Sequence, residues 1–144
     1  MTTNKPKLAP ASDWQARDIA DWNVQTFLAY ITETTREKYG VEYSPGGGGS
    51  KQARWGRERG MLKNAQGKYG NRVLKAFIEI CWREYRTSKP ELYPYPSVTF
   101  MISYMDRYFT EAVSQVAREA RRAKVAADAE QELAVDGEEL SDWF

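Results

Sequence analysis

Residues 54–85 read RWGRERGMLKNAQGKYGNRVLKAFIEICWREY, and two helical patterns meet within them at Tyr69-Gly70-Asn71. In the second pattern, large apolar residues recur at three- and four-residue spacing: Val73, Leu74, Phe77, Ile78, Cys81, Trp82 and Tyr85. Because this spacing places them on one face of a helix, the pattern predicts a central core helix. Gly70 suits the left-handed position that ends the preceding helix, and Asn71 suits the N-cap of the new one.

The preceding helix is predicted over residues 53–69, and it has four apolar members: Trp55, Met61, Leu62 and Ala65. It also contains Gly56, Gly60 and Gly67, and each glycine lowers helix stability by up to about 1 kcal/mol relative to Ala. Glycines on a helix permit close approach of another backbone, either from a neighbouring helix or from a ligand.

One helix, or two joined helices, is predicted over residues 13–39. Ser12 followed by Gln15 has the spacing of a capping box, and Gly40 suits the residue just after a helix. Residues 44–52 contain Ser-Pro-Gly-Gly-Gly-Gly-Ser, which has the composition of a flexible loop. An engineered joint and a natural mobile loop fit this composition equally.

After the core helix, Ser97 suits the N-cap of a long helix whose apolar stripe reaches Val116 and which projects as far as Leu133. Gly137 interrupts this pattern and leaves an acidic tail over residues 135–144. No segment alternates like a strand. The sequence therefore predicts an all-α fold, a small helical bundle of four to five helices with a long C-terminal helix and an acidic tail.

The 144 residues suit one domain, and 42% of them are hydrophobic. We expect a disordered N-terminus over residues 1–12 and a single helical domain over residues 13–134. No run approaches the roughly 18 apolar residues of a membrane span, and no secretion signal is evident. The single cysteine, Cys81, fits a reducing compartment. A cytoplasmic location in a bacterial host cell is expected.

Charge is segregated along the chain although the net charge is +1. Residues 51–89 hold eleven Lys or Arg and three acids, and residues 125–144 hold seven acids and no Lys or Arg. Cations that neutralise phosphates, interleaved with aromatics that stack on unpaired bases, are typical of nucleic-acid-binding surfaces. The candidate residues are Arg54, Trp55, Arg57, Arg59, Lys63, Lys68, Arg72 and Lys75. The alternative is a solvated helix surface with Trp55 in the core.

The acidic tail ends in two aromatic residues, which do not aid solubility. It predicts a short docking peptide with these partner-binding residues: Glu138, Glu139, Asp142, Trp143 and Phe144. Residues 136–144 resemble the C-terminal tip of bacterial single-stranded DNA-binding proteins, although the oligonucleotide-binding barrel of that family is absent. Two alternatives stay open: the tail packs on the protein's own core, or it covers the basic helices as an intramolecular competitor.

The chain contains no histidine, which is the commonest general base and the commonest zinc ligand. Cys81 therefore has no histidine partner for nucleophilic catalysis. The glycines at residues 46–49 lack the Lys-Ser/Thr of a phosphate-binding loop. A protein without enzymatic activity, cofactor or metal is expected.

The segment WGRERGMLKNAQGKYGNRVLKAFIEICWREY, followed by YPYPSVTFMISYMDRYF, resembles small helical proteins encoded by tailed bacteriophages. A Lys-rich helix, a Tyr-Gly turn, an amphipathic helix and a Tyr-Pro-x-Pro-Ser helix start recur in those proteins. Some of them are replication accessory proteins of the replisome-organiser or helicase-loader type. The resemblance covers residues 54–109 and implies a role near DNA replication or transcription.

Two hypotheses of different class follow. The first is a phage-type, non-enzymatic accessory protein that contacts single- or double-stranded DNA through its basic residues and a replication or transcription protein through its tail. The second is a protein-only adaptor or inhibitor of a host enzyme such as RNA polymerase or helicase. Its anchors would be aromatic residues, notably Trp14, Trp22, Tyr93 and Tyr95.

Overall fold

The computed structural model describes the backbone of residues 8–142 and the side chains of residues 8–134. A 3₁₀ turn, Ile19–Asp21, precedes five α-helices: α1 (Val24–Tyr39), α2 (Lys51–Tyr69), α3 (Asn71–Glu84), α4 (Val98–Tyr104) and α5 (Tyr108–Asp142). The described residues contain no β-strand, and the predicted all-α bundle with a long C-terminal helix is confirmed. Within the same residues, no helix has the length and apolar character that crossing a membrane requires.

The central helix of the bundle is α3, as the sequence predicts. Leu74, Phe77 and Cys81 on its apolar face are completely buried. The ring of Phe77 stacks on Phe109 of α5 with 3.6 Å between centroids, and Phe109 stacks in turn on Tyr69 at 4.1 Å. This three-ring stack joins the end of α2 to α3 and to the start of α5.

The boundary between α2 and α3 differs from its prediction. Gly70 follows α2 with a positive φ of 84°, but its ψ of 165° lies outside the predicted left-handed region, and it is itself the N-cap of α3. Asn71 is the first helical residue. Its side-chain nitrogen Nδ2 donates to the carbonyls of Ile19 and Trp22 at 2.8 and 2.9 Å. Its oxygen accepts from Gln66 at 2.8 Å. The N-cap prediction for Asn71 is wrong because this side chain instead holds the 3₁₀ turn against the bundle.

The first helix begins later than the sequence predicts. Asn23 is the N-cap of α1 and forms a reciprocal capping box with Thr26, so Ser12 starts no helix. The predicted helix end is confirmed, since Gly40 adopts a left-handed conformation with φ 70°. The segment before α1 packs Trp14 and Trp22 edge-to-face at 6.0 Å.

The predicted long C-terminal helix is divided in two. Ser97 is the N-cap of α4, as expected, and accepts from the backbone N–H of Phe100. The chain leaves the helical conformation at Met105 and resumes it at Tyr108, because α4 packs against α2 whereas α5 packs against α3. The backbone of α5 then continues through Gly137 to Asp142, so the predicted interruption at Gly137 is wrong.

Candidate functional site

A buried carboxylate in the middle of α2 organises the local structure. Glu58 has no solvent exposure. One of its oxygens accepts a hydrogen bond from the hydroxyl of Tyr43, and the other accepts from Thr99 and from the N–H of Gly46 at 3.1 Å. Glu58 therefore ties α2 to the loop that precedes it and to the start of α4.

The first turn of α4 is capped by three different side chains. The N–H of Val98 donates to the hydroxyl of Tyr43 at 2.9 Å, and that of Thr99 donates to Glu58 at 2.8 Å. Ser97 supplies the third acceptor. Burial, reinforced by the Glu58 carboxylate, raises the pKa of Tyr43, so its hydroxyl stays protonated as a donor. The backbone donors that a helix start leaves unpaired are satisfied here.

The glycine-rich loop is attached to α2 by two arginines. Arg54 donates to the carbonyl of Pro45 at 2.9 Å, and Arg57 donates to the carbonyl of Gly48 at 2.7 Å. A Cβ at Gly46 would collide with the side chain of Ser97, so glycine is required by close packing at this position. The predicted loop lies where expected, although α2 already begins at Lys51. Its mobility stays a prediction.

This loop forms one wall of a groove of about 780 Å³. Residues 85–95 and α4 form the rest of its lining. Arg54 and Arg86 are the charged residues in it, and none of the described lining residues is acidic. The Nε atom of Arg54 is buried and has no hydrogen-bond partner among the described residues. The groove therefore suits a ligand that carries negative charge.

Large apolar side chains are exposed around this groove. Leu92, Tyr93 and Tyr104 are 69%, 61% and 68% exposed, and Phe100 is 39% exposed. The rings of Phe100 and Tyr104 lie 5.2 Å apart, and Tyr85 packs edge-on against Phe100 at 5.7 Å. Such a cluster on a small protein marks a binding surface for aromatic or apolar groups.

A second charged surface, here called the outer face of α2, is the exposed part of this helix, with Arg57 and Lys68 on one side of it and Arg59 and Lys63 on the other. Its cations are exposed, and none forms an ion pair with another described residue: Arg57, Arg59, Lys63 and Lys68. Gly56, Gly60 and Gly67 lie among them. A Cβ at Gly60 or Gly67 would meet nothing within 4 Å. The backbone of α2 is therefore open to a close ligand on this face.

The eight predicted nucleic-acid-binding residues do not form one surface. Four of them share the outer face of α2. Arg54 is half-buried beside the groove, and Trp55 packs against Tyr43 with 5.8 Å between centroids, so Trp55 belongs partly to the core. Arg72 and Lys75 lie on α3, and Lys75 forms an ion pair with Glu79 at 2.6 Å.

The predicted aromatic anchors also lie in different places, some in the aromatic cluster before α1 and others beside the groove. Trp22 is buried, and the indole N–H of Trp14 donates to Glu33 at 2.8 Å in the same aromatic cluster. The hydroxyl of Tyr95 accepts from the N–H of Ser44 at 2.7 Å, whereas Tyr93 is exposed beside the groove. Sequence reasoning missed Phe100 and Tyr104 as surface residues. Their four-residue spacing, away from buried Val98 and Met101, was the available signal.

The predicted partner-binding residues of the tail, Glu138, Glu139, Asp142, Trp143 and Phe144, lie outside the side chains that the structure describes. In the described part of the chain, no group of His, Cys, Asp or Glu residues could hold a metal ion. Cys81 is buried in the core. The chain matches no protein-family model, no curated protein and no solved structure.

Proposed function

We propose that this protein binds single-stranded nucleic acid, with bases in the groove and phosphates on the outer face of α2. The observation that carries this proposal is the groove itself, where exposed aromatic rings and two arginines meet without an acidic residue in the described lining. Proteins that hold single strands without sequence preference combine aromatic stacking surfaces with cations that follow the backbone.

The two surfaces adjoin at the glycine-rich loop. Arg57 belongs to the outer face of α2 and donates to Gly48 in the loop that forms the groove wall. From Arg57 to Lys68, α2 rises roughly 16 Å at 1.5 Å per residue. A strand leaving the groove would meet Arg57 first and the other cations afterwards. The exposed glycines would let a sugar–phosphate backbone approach this helix closely.

In this proposal the protein is a non-enzymatic accessory factor of nucleic-acid machinery. The resemblance to phage replication accessory proteins supports a place near replication or transcription. The acidic tail would then contact a protein partner. Its carboxylates are opposite in charge to the basic surface, and its two aromatic residues are uncharged. Nucleic acid would then contact the basic residues of α2, and the protein partner would contact the acidic tail.

Fluorescence anisotropy with a labelled single-stranded oligonucleotide and a duplex of the same sequence tests the proposal. We expect tighter binding of the single strand, with log K falling by about 0.7 per phosphate contact for each unit of log salt. Replacing Arg59 and Lys63 by Glu should weaken binding and make this slope shallower. The control is the same charge change at Arg36 and Lys38 on α1. Absence of binding at low salt, or an equal loss in the control, would reject the proposal.

A second candidate is the protein-only adaptor, favoured by the exposed apolar residues around the groove. In this case Tyr93 and Tyr104 would insert into a partner protein. A pull-down from nuclease-treated bacterial lysate distinguishes the two functions. A stoichiometric partner lost in the Tyr104→Ala variant, together with no binding of either oligonucleotide, would favour the adaptor.

A further inference from the structure

The distal part of α5 extends away from the bundle as an arm, residues 117–134. Among the side chains of α5 that the structure describes, Val116 is the last that is partly buried, and every residue of the arm is exposed. Val125 and Leu133 are 67% and 71% exposed. Long helices in water are usually stabilised by packing of one face. Glu119, Ala120 and Ala123 still line a groove with Ile19 and α3, but no described residue of the arm beyond Ala123 lies in this groove.

Charge changes sign along the arm. The first half is mainly basic, with one acid, Glu119, among four cations: Arg118, Arg121, Arg122 and Lys124. The second half is acidic, with Asp128, Glu130 and Glu132, and the sequence beyond it contains further acids and no cation.

This order does not stabilise the helix by itself. The helix macrodipole acts mainly within the last turn, so it does not stabilise the acids of the arm, which lie well before the end of α5 at Asp142. Among the described residues, the one ion pair of α5 joins Glu111 to Arg83 of α3, near the bundle. The charge order of the arm therefore needs another explanation.

We propose that the arms of two copies of this chain pair in antiparallel orientation. This arrangement brings the basic half of each arm beside the acidic half of the other, so the favourable contact forms twice about a two-fold axis. The two helix dipoles also oppose each other. A parallel pair would place like charges side by side, and the same order of charges disfavours it.

The contacting face of the arm is visible in its surface shape. A shallow depression along it is lined by Arg118, Arg121, Arg122, Val125, Ala126 and Ala129. The small side chains let a second helix approach closely, and Leu133 lies one turn beyond Ala129 on the same face. The two-fold axis would pass near Ala126, with the arginines on one side of it and the acids on the other. This inference does not depend on nucleic-acid binding.

Analytical ultracentrifugation of the full chain tests the inference. We expect a concentration-dependent monomer–dimer equilibrium that weakens as salt rises. Replacing Arg118, Arg121 and Arg122 by Glu should give a monomer, and so should replacing Asp128, Glu130 and Glu132 by Lys. Mixing these two variants should restore a dimer, because one arm is then mainly acidic and the other mainly basic. Circular dichroism checks that both variants stay helical.

Cysteine cross-linking tests the orientation. Cys81 is buried, so a new surface cysteine reports on the arm alone. Ala126→Cys, near the axis, should form an intermolecular disulfide on oxidation, whereas Arg118→Cys should not. A wild-type protein that stays monomeric at every concentration would overturn the proposal. A mixture of charge variants without a dimer, or cross-linking at both positions, would also overturn it.

Discussion

Thr99 donates two hydrogen bonds to the carboxylate of Glu58, one from its backbone N–H and one from its hydroxyl, both at 2.8 Å. Through this pair, the middle of α2 determines where α4 begins. The same helix α4 carries Phe100 and Tyr104 at the groove. The stability of the bundle and the shape of the groove thus depend on one buried side chain.

Replacing Glu58 by Gln should destabilise the protein strongly, although the two side chains have the same shape. In either orientation the amide would turn its NH2 towards groups that donate to Glu58, either the N–H groups of Gly46 and Thr99 or the hydroxyl of Tyr43. Hydrogen bonds to a charged group contribute about 1.5–3 kcal/mol each, so we expect a loss of about 3 kcal/mol. This corresponds to a decrease in Tm of roughly 10 °C for a domain of this size. Thermal unfolding measures the change, with the exposed Glu37→Gln variant as control. Equal Tm values for the two variants would contradict the role of Glu58.

Replacing Asn71 by Asp distinguishes its two possible roles. Asp caps a helix as well as Asn does, so an N-cap would tolerate this change. Asp cannot donate to the carbonyls of Ile19 and Trp22, and we expect a loss of about 1–3 kcal/mol. Urea unfolding followed by tryptophan fluorescence measures it. Asn71→Ala provides the comparison, and an Asp variant as stable as the wild type would show that the contact to the 3₁₀ turn is unimportant.

Replacing Gly60 by Ala should stabilise the free protein and weaken its complex with nucleic acid. Alanine raises helix stability by up to about 1 kcal/mol, and its Cβ meets nothing within 4 Å. A sugar–phosphate backbone that binds close to α2 would meet the added methyl group. In a variant with alanine at Gly56, Gly60 and Gly67, it would meet three such groups. Thermal unfolding and anisotropy measure the two effects. Higher Tm with unchanged affinity would show that the glycines do not contact the ligand.

Cys81 should be unreactive until the protein unfolds. Burial raises the pKa of its thiol to about 12, whereas an unfolded chain ionises it near 8.5. The protonated thiol therefore favours the folded state fully below about pH 8.5, and this contribution is lost as pH rises towards the folded pKa. Iodoacetamide labelling at pH 8.5, followed by mass spectrometry, should proceed only in denaturant. Rapid labelling of the native protein would contradict the buried position.

The sequence predicts the packing of α3 well because a seven-residue apolar stripe leaves one choice of buried face. The burial of Glu58 was not predicted from this periodicity. It occupies the buried face of α2 between Trp55 and Leu62 at three- and four-residue spacing, yet hydropathy assigns a carboxylate to solvent. Its burial is decided by donors from Tyr43, Gly46 and Thr99. Periodicity within one helix carries no information about such distant partners.

The candidate site was only partly predictable for a related reason. Grouping the seven cations of residues 54–75 with Trp55 placed eight residues in one set, but the rotation of α2 turns Arg54 and Trp55 inward. The two residues on α3 depart from the set because the chain turns at Gly70. The groove is formed by two parts of the chain that are distant in sequence, residues 44–54 and 85–104. Its aromatic lining becomes recognisable only when the folded chain brings those segments together.

If nucleobases stack in the groove, the affinity for a single-stranded oligonucleotide should depend on the ring of Tyr104. Tyr104 is 68% exposed, so its replacement should leave Tm unchanged. Stacking on one aromatic ring contributes about 1–3 kcal/mol per base, which is about 5- to 150-fold in Kd. Anisotropy should show a loss of this size for Tyr104→Ala and near-wild-type binding for Tyr104→Phe, which keeps the ring. Wild-type affinity in the alanine variant would show that no base stacks on Tyr104 and would contradict binding of bases in the groove.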